Sequence, residues 1–171
     1  MLTGLPAPRF RAILSRGELM SATKIMRARF TLPLPPSINQ QYASVGNRRV
    51  LSKASRQYHR AVERVVRQLR FNGTLSDELV DALRAGYIGL FIDFYFETPL
   101  RRDLDGGLKI TQDALCQALG VNDNRVVDVH LVKRIDPLNP RIEVELEAIP
   151  EWQFDEEYSC ALTMSKAITH L

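Results

Sequence analysis

The chain has 171 residues, 45% of them hydrophobic, with 23 Lys+Arg against 20 Asp+Glu for a formal charge of +3. That length suits one domain with a real hydrophobic core. No run approaches the ~18 apolar residues of a membrane span, and the N-terminus lacks the apolar stretch of a signal peptide. The two cysteines, Cys116 and Cys160, form no CxxC or Cys/His motif and read as reduced thiols of a cytoplasmic protein.

Residues 1 to 26 read as an N-terminal extension with Pro6, Pro8 and little periodicity. Ala28 to Leu34 alternates as a first strand, and Pro33, Pro35 and Pro36 end it, because proline gives a sheet no N–H. The following Pro-Pro-Ser-Ile-Asn-Gln-Gln-Tyr segment is expected to be a rigid loop. Ser55 is the expected N-cap of a helix over 56–71 that closes at Asn72-Gly73. Ser76 opens a shorter helix ending at Gly86.

Tyr87 to Thr98 is the clearest strand. Ile88, Leu90, Ile92, Phe94 and Phe96 share one face, with Phe91 and Tyr95 on the other. Pro99 stops it. Leu104 to Leu119 has helical spacing, with Gly120 as its cap. Val126 to Ile135 reads as a strand. Arg141 to Ile149 is another, with Ile142, Val144, Leu146 and Ala148 inward and Glu143, Glu145 and Glu147 outward. Asp136-Pro-Leu-Asn-Pro between them is read as a hairpin loop. Residues 151–171 form an acidic tail compatible with a helix. The order β-α-α-β-α-β-β predicts an α+β domain over 27–150, a mixed sheet with helices packed on it.

Charge is unevenly distributed. Arg48 to Arg70 holds eight basic residues and one acid, whereas Glu143 to the end holds seven acids and one basic residue. Lys53, Arg56, Arg60, Arg64 and Arg67 recur at steps of 3, 4, 4 and 3, one stripe along a helix, with Val62, Val65, Val66 and Leu69 on the buried side. A solvated face usually mixes signs; this one has Glu63 alone. The stripe is expected to hold phosphate backbones without reading sequence. Tyr58, His59 and His130 read as packing residues, and there is no P-loop or Rossmann glycine pattern, so no nucleotide cofactor is expected.

Asp103, Asp105 and Asp123 fall within 21 residues, together with Lys109 and Asp113. Clustered carboxylates repel unless a cation holds them, and Mg²⁺ takes oxygen ligands and leaves positions open for phosphate. A lysine adds a point charge suited to phosphate. In extended chain Asp103 and Asp105 would point to the same side. In a helix Asp105, Lys109 and Asp113 would share a face. Gly106-Gly107 in a first helical turn costs about 1 kcal/mol per glycine against alanine, which suggests close approach of a phosphate. Each residue also has a plainer reading: Asp103 as an N-cap, Asp105–Lys109 as a surface ion pair, Asp123 as a turn residue, Asp113 as a partner that orients the lysine.

Three segments resemble a known family. They are Leu32-Pro-Leu-Pro-Pro-Ser-Ile-Asn39, then Arg102-Asp103-Leu104-Asp105-x₃-Lys109-x₃-Asp113-Ala-Leu115, then Asn122-Asp123-x₂-Val126-Val127. In order and spacing, over about residues 27 to 149, they are similar to the RusA family of Holliday-junction resolvases. The resemblance implies a homodimeric, Mg²⁺-dependent endodeoxyribonuclease, with Mn²⁺ as an alternative ion, that nicks four-way DNA junctions symmetrically in recombination and repair. It implies Asp103, Asp105 and Asp123 as metal ligands and Lys109 as the essential lysine. Asn39, Arg101 and Arg102 are expected to join the basic stripe on the DNA. Two positions differ from the family pattern: Gly106 stands where Asn is usual, and Asn122 where many members carry a second acid. They motivate one alternative, a catalytically weak junction-binding protein; a metal nuclease for other branched DNA, such as flaps or forks, is a second.

Overall fold

A computed structural model describes residues 25–100 and 103–151, with only the backbone of Ile38, Val45 and Arg49. The expectations for residues 1–24, for Arg101 and Arg102, and for the acidic tail with Cys160 lie outside the described residues.

The fold is the predicted α+β arrangement. A four-stranded sheet has the order β1-β6-β4-β5, made of β1 (Met26–Pro33), β4 (Tyr87–Phe96), β5 (Val126–Ile135) and β6 (Arg141–Ile149). Strand β6 runs antiparallel to β1 and β4, while β5 is parallel to β4. Helices α1 (Lys53–Phe71), α2 (Asp77–Ala85) and α3 (Leu108–Leu119) pack on one face. Period-two alternation sends Ile88, Leu90, Ile92, Phe94 and Phe96 of β4 under them, joined by Ile142, Val144, Leu146 and Ala148 of β6. Each such large side chain, once buried, contributes about 1.5–3 kcal/mol.

The 136–140 segment is not the hairpin loop the sequence suggested. Strand β4 lies between β5 and β6. It is the most continuously apolar strand, buried at seven of its ten positions, and so takes a central place. Since α3 carries the chain back from the end of β4, β5 must run parallel to it. The loop then crosses the end of β4, and Asp136 N–H donates to the Phe96 carbonyl at 2.9 Å.

Two further expectations are corrected near the N-terminal half. Residues 42–51 form a hairpin, β2 (Tyr42–Val45) with β3 (Arg48–Leu51), turning at Gly46-Asn47. Gly46 takes the left-handed φ of 59° that the turn demands. Helix α1 starts at Lys53, with Ser52 rather than Ser55 as N-cap; the Ser52 Oγ accepts from the Ser55 N–H at 3.1 Å. Ser55 is instead buried inside the first turn.

The predicted helix over 104–119 is divided. Asp105–Gly107 is a 3₁₀ turn, and α3 begins at Leu108 and closes at Gly120 with φ 67°. Leu104 is already helical (φ −63°, ψ −40°), so Asp103 and Asp105 are not an alternating pair on extended chain. Gly107 has a packing reason of its own. A Cβ on it would lie 2.7 Å from Pro35 Cγ and 2.8 Å from Phe94 Cε1. The chain needs glycine there so that the proline-rich loop and the central strand can close on the turn. A Cβ at Gly106 would meet nothing within 4 Å.

Candidate active site

The loop after β4 and the turn after α3 bring the acidic segment to one side of the domain. Lys109, in the first turn of α3, is the centre of what the structure gathers. Its Nζ lies 2.9 Å from Asp113 Oδ1, one helical turn on, and 3.7 Å from Asp123 Oδ2. Asp123 opens a 3₁₀ turn, Asp123–Arg125, capped by the Asn122 side chain, which accepts from the Asn124 N–H at 3.1 Å. That turn folds back along α3, where Gln112 Nε2 donates to the Asp123 carbonyl at 3.2 Å. Asn122 thus shapes the turn that carries Asp123.

The hydrogen bond with Asp113, reinforced by the charges of Asp113 and Asp123, holds the Lys109 ammonium above its ordinary pKa against the smaller effect of burial. Lys109 is therefore a permanent cation and not a proton acceptor at neutral pH. Below it, burial pushes the Cys116 thiol up to about 11, with Asp123 and Asp113 adding to the rise. That thiol is inert at neutral pH.

Asp103 and Asp105 are exposed at the start of the turn. Among the described residues no three His, Cys, Asp or Glu side chains stand close enough to hold one metal ion. The cation that meets Asp123 is the Lys109 ammonium. The chemistry of the donors still fits one class of ion: Asp103, Asp105 and Asp123 offer only hard carboxylate oxygens, the set that Mg²⁺ and Mn²⁺ prefer.

The basic stripe is real as geometry. Lys53, Arg56, Arg60, Arg64 and Arg67 are all exposed along α1. Arg56 donates to the Leu51 carbonyl, and Arg67 pairs with Glu63 at 2.8 Å. Arg60 and Arg64 have no ion pair among the described residues. They rim an open groove of about 990 Å³ walled by Pro33, Leu34, Pro35 and Pro36. Asn39 is exposed in the Ile38–Gln40 turn and shares a depression with Tyr42 and Arg48 of the hairpin. The sequence reading missed that hairpin, although Tyr-Ala-Ser-Val, Gly-Asn and Arg-Arg-Val-Leu carry its signal: two short runs around a two-residue turn. His59 links α1 to Gln117 of α3 at 2.9 Å, and His130 stacks on Phe91 at 4.8 Å between ring centres.

Residues 33–147 match the family model described as endodeoxyribonuclease RusA. The chain belongs to the RusA family. It is therefore an endodeoxyribonuclease by family, and the match spans every element of the site from the proline-rich loop to β6. One RusA relative is the crossover junction endodeoxyribonuclease rusA of Enterobacteria phage HK97. It is 25% identical over 124 residues, covering 70% of this chain and 96% of that protein. No helix among the described residues is long and apolar enough to cross a membrane.

Proposed function

We propose that the chain is a Mg²⁺-dependent endonuclease that resolves four-way DNA junctions as a homodimer by paired nicks. The observation that carries this reading is the Lys109–Asp113–Asp123 cluster on a RusA-family scaffold. The name of the phage relative supports the junction as substrate. Two coordinated nicks need two sites related by a two-fold axis, which supports a dimer.

In this reading Asp103, Asp105 and Asp123 would hold the divalent ion. Once bound, that ion polarises the scissile phosphate and lowers the pKa of water. Lys109 contributes a fixed positive charge to the phosphate oxygens as negative charge builds in the transition state. Asp113 keeps the flexible lysine side chain in one orientation, so little of its freedom remains to be lost when DNA arrives. Lys53, Arg56, Arg60, Arg64 and Arg67 position the arms through their phosphates, with Arg101, Arg102 and Asn39 as further contacts.

The test is cleavage of a synthetic four-way junction in Mg²⁺ and in EDTA, with fork and linear duplex as competitors. Symmetric nicks of the junction in Mg²⁺ alone are expected. Asp105→Asn should abolish them while junction binding stays intact or tightens, because it removes a ligand and a negative charge without touching the stripe. Cleavage by that variant at near the parent rate would make the ligand assignment wrong. Tight binding without any nick would favour a catalytically weak junction binder, and preference for the fork a different branched substrate.

A further inference from the structure

Among the described residues four polar or charged side chains are buried: Gln41, Ser55, Asp93 and Thr111. Three of them lie between α1 and the Asp105–Gly107 turn. The Gln41 side chain, 3% exposed, donates from Nε2 to the Gly106 carbonyl at 2.8 Å. The Gln41 backbone carbonyl accepts from Ser55 Oγ at 2.7 Å and from the Ser52 N–H at 3.0 Å, in the first turn and at the N-cap of α1. Thr111 Oγ1 donates to the Gly107 carbonyl at 2.7 Å. Having spent its one hydrogen there, Thr111 must accept from Tyr58 OH of α1, 3.1 Å away. Burial raises the Tyr58 pKa well above its ordinary value, so it remains a donor.

The turn needs outside restraint because of its sequence. Two consecutive glycines have no side chains to limit φ and ψ. Gly107 is wedged between Pro35 and Phe94, but space around Gly106 is open. The hydrogen bond from Gln41 fixes the peptide plane between Gly106 and Gly107, one residue beyond Asp105.

We propose that Gln41 is a positioning residue: it ties the start of α1 and the β2–β3 hairpin to the Asp105-Gly106-Gly107 turn, so that the surface touching DNA sets the orientation of Asp105. The claim rests on the nuclease reading above for its effect on rate, and on the hydrogen-bond geometry alone for its effect on the turn.

Both halves are testable in the full chain. In Gln41→Ala, the single-turnover rate on a bound four-way junction should fall by about 10- to 100-fold, the usual loss when a partner supporting a site ligand is removed. Junction affinity should stay within about twofold, since no phosphate contact is lost. Backbone amide exchange in the protein without DNA should quicken across 103–108 while β4 and β6 stay protected. Adding Gly106→Ala to that variant should recover part of the rate, because a Cβ there stiffens the backbone and has room. Gln41→Glu keeps the shape but loses the donor when ionised, and it should be as slow as the alanine variant. An unchanged rate, an equal loss of rate and affinity, or quickened exchange throughout the sheet would overturn the proposal. If the parent protein cuts no branched DNA, the nuclease reading is what fails, and the exchange pattern alone decides the role of Gln41.

Discussion

The domain carries two arginine-rich surfaces, and they differ in what meets the charge. On the sheet face away from the helices every arginine among the described residues has an acid. Arg27 meets Glu145 at 3.4 Å and Glu147 at 3.2 Å, and Arg29 meets Glu143. Arg134 meets Asp93 at 3.2 Å, and Arg141 meets Glu143 at 2.9 Å and Asp136 at 2.7 Å. Strand register makes this automatic: the outward positions of β1 face the outward glutamates of β6 across an antiparallel ladder. On α1 the only ion pair within the stripe among the described residues is Arg67–Glu63. Arginines with local acids hold the fold together; those without a partner among the described residues are the ones proposed above to meet phosphate.

Lys109 belongs to neither class. It has two acids, yet its side chain is 65% exposed. If its charge acts on the transition state, Lys109→Ala should lower the single-turnover rate by about 10²- to 10³-fold, the scale of losing one electrostatic stabiliser. Junction affinity should change far less. Parallel losses in rate and affinity, measured by burst kinetics and titration, would give Lys109 a docking role instead.

How much of this was legible beforehand depends on what each inference needed. The alternation in β4 and β6 is local and strong, so strand limits and inward faces follow directly from residues such as Ile92 and Val144. The Lys109–Asp113 contact is fixed by helical spacing and is equally readable. Sheet order is not local. Nothing in Asp136-Pro-Leu-Asn-Pro says that β4 sits between the strands it joins, because that depends on which strand the core draws to the centre. Nor does any pattern reveal that Gly107 is required by Pro35, 72 positions earlier in the chain, or that Gln41 reaches Gly106. Such contacts are made by the closed fold, and polar residues in a loop give no periodic signal. Asp103 and Asp105 look like a pair in extended chain until Leu104 turns helical.

The next-largest effect tests the α1 side of the comparison. Arg56, Arg60 and Arg64 changed together to Ala should weaken binding to every DNA and reduce the slope of log affinity against log salt by about two to three, at roughly 0.9 per phosphate contact. Thermal stability should hold, because none of the three has a carboxylate partner among the described residues. An unchanged slope would mark the stripe as a solvated face.

Asp93 tests the other surface. It is 2% exposed in the central strand, with Arg134 Nε at 3.2 Å and Arg29 at 3.9 Å from one oxygen. Removing one partner of a buried pair strands the other charge. Here the arginine side chains are 43% and 47% exposed and can turn to water. Asp93→Ala should therefore cost about 1–3 kcal/mol of stability, the range for a lost buried hydrogen-bond partner. DNA affinity per folded molecule should not change. A loss of affinity with intact folding would show that this face also touches DNA.

The smallest effect is on pH dependence. Burial alone would raise the Glu143 carboxyl, but hydrogen bonds from Arg29 and Arg141 outweigh it and hold the pKa below the ordinary 4.5. A carboxyl whose folded pKa is depressed adds stability above its unfolded pKa and loses it as pH falls through the folded value. The contribution of Glu143 should then be complete at neutral pH and decline below about pH 4.5, once protons compete with the two guanidinium groups. Glu143→Gln keeps the shape and removes the charge. Its melting temperature should lie below that of the parent at pH 7, by an amount corresponding to about 0.2–1 kcal/mol for partly exposed ion pairs. The two curves should converge as pH drops further below 4.5. A gap that stays constant over that range would mean that Glu143 acts through packing, and that the paired arginines of the sheet face contribute no more electrostatic stability than those of α1.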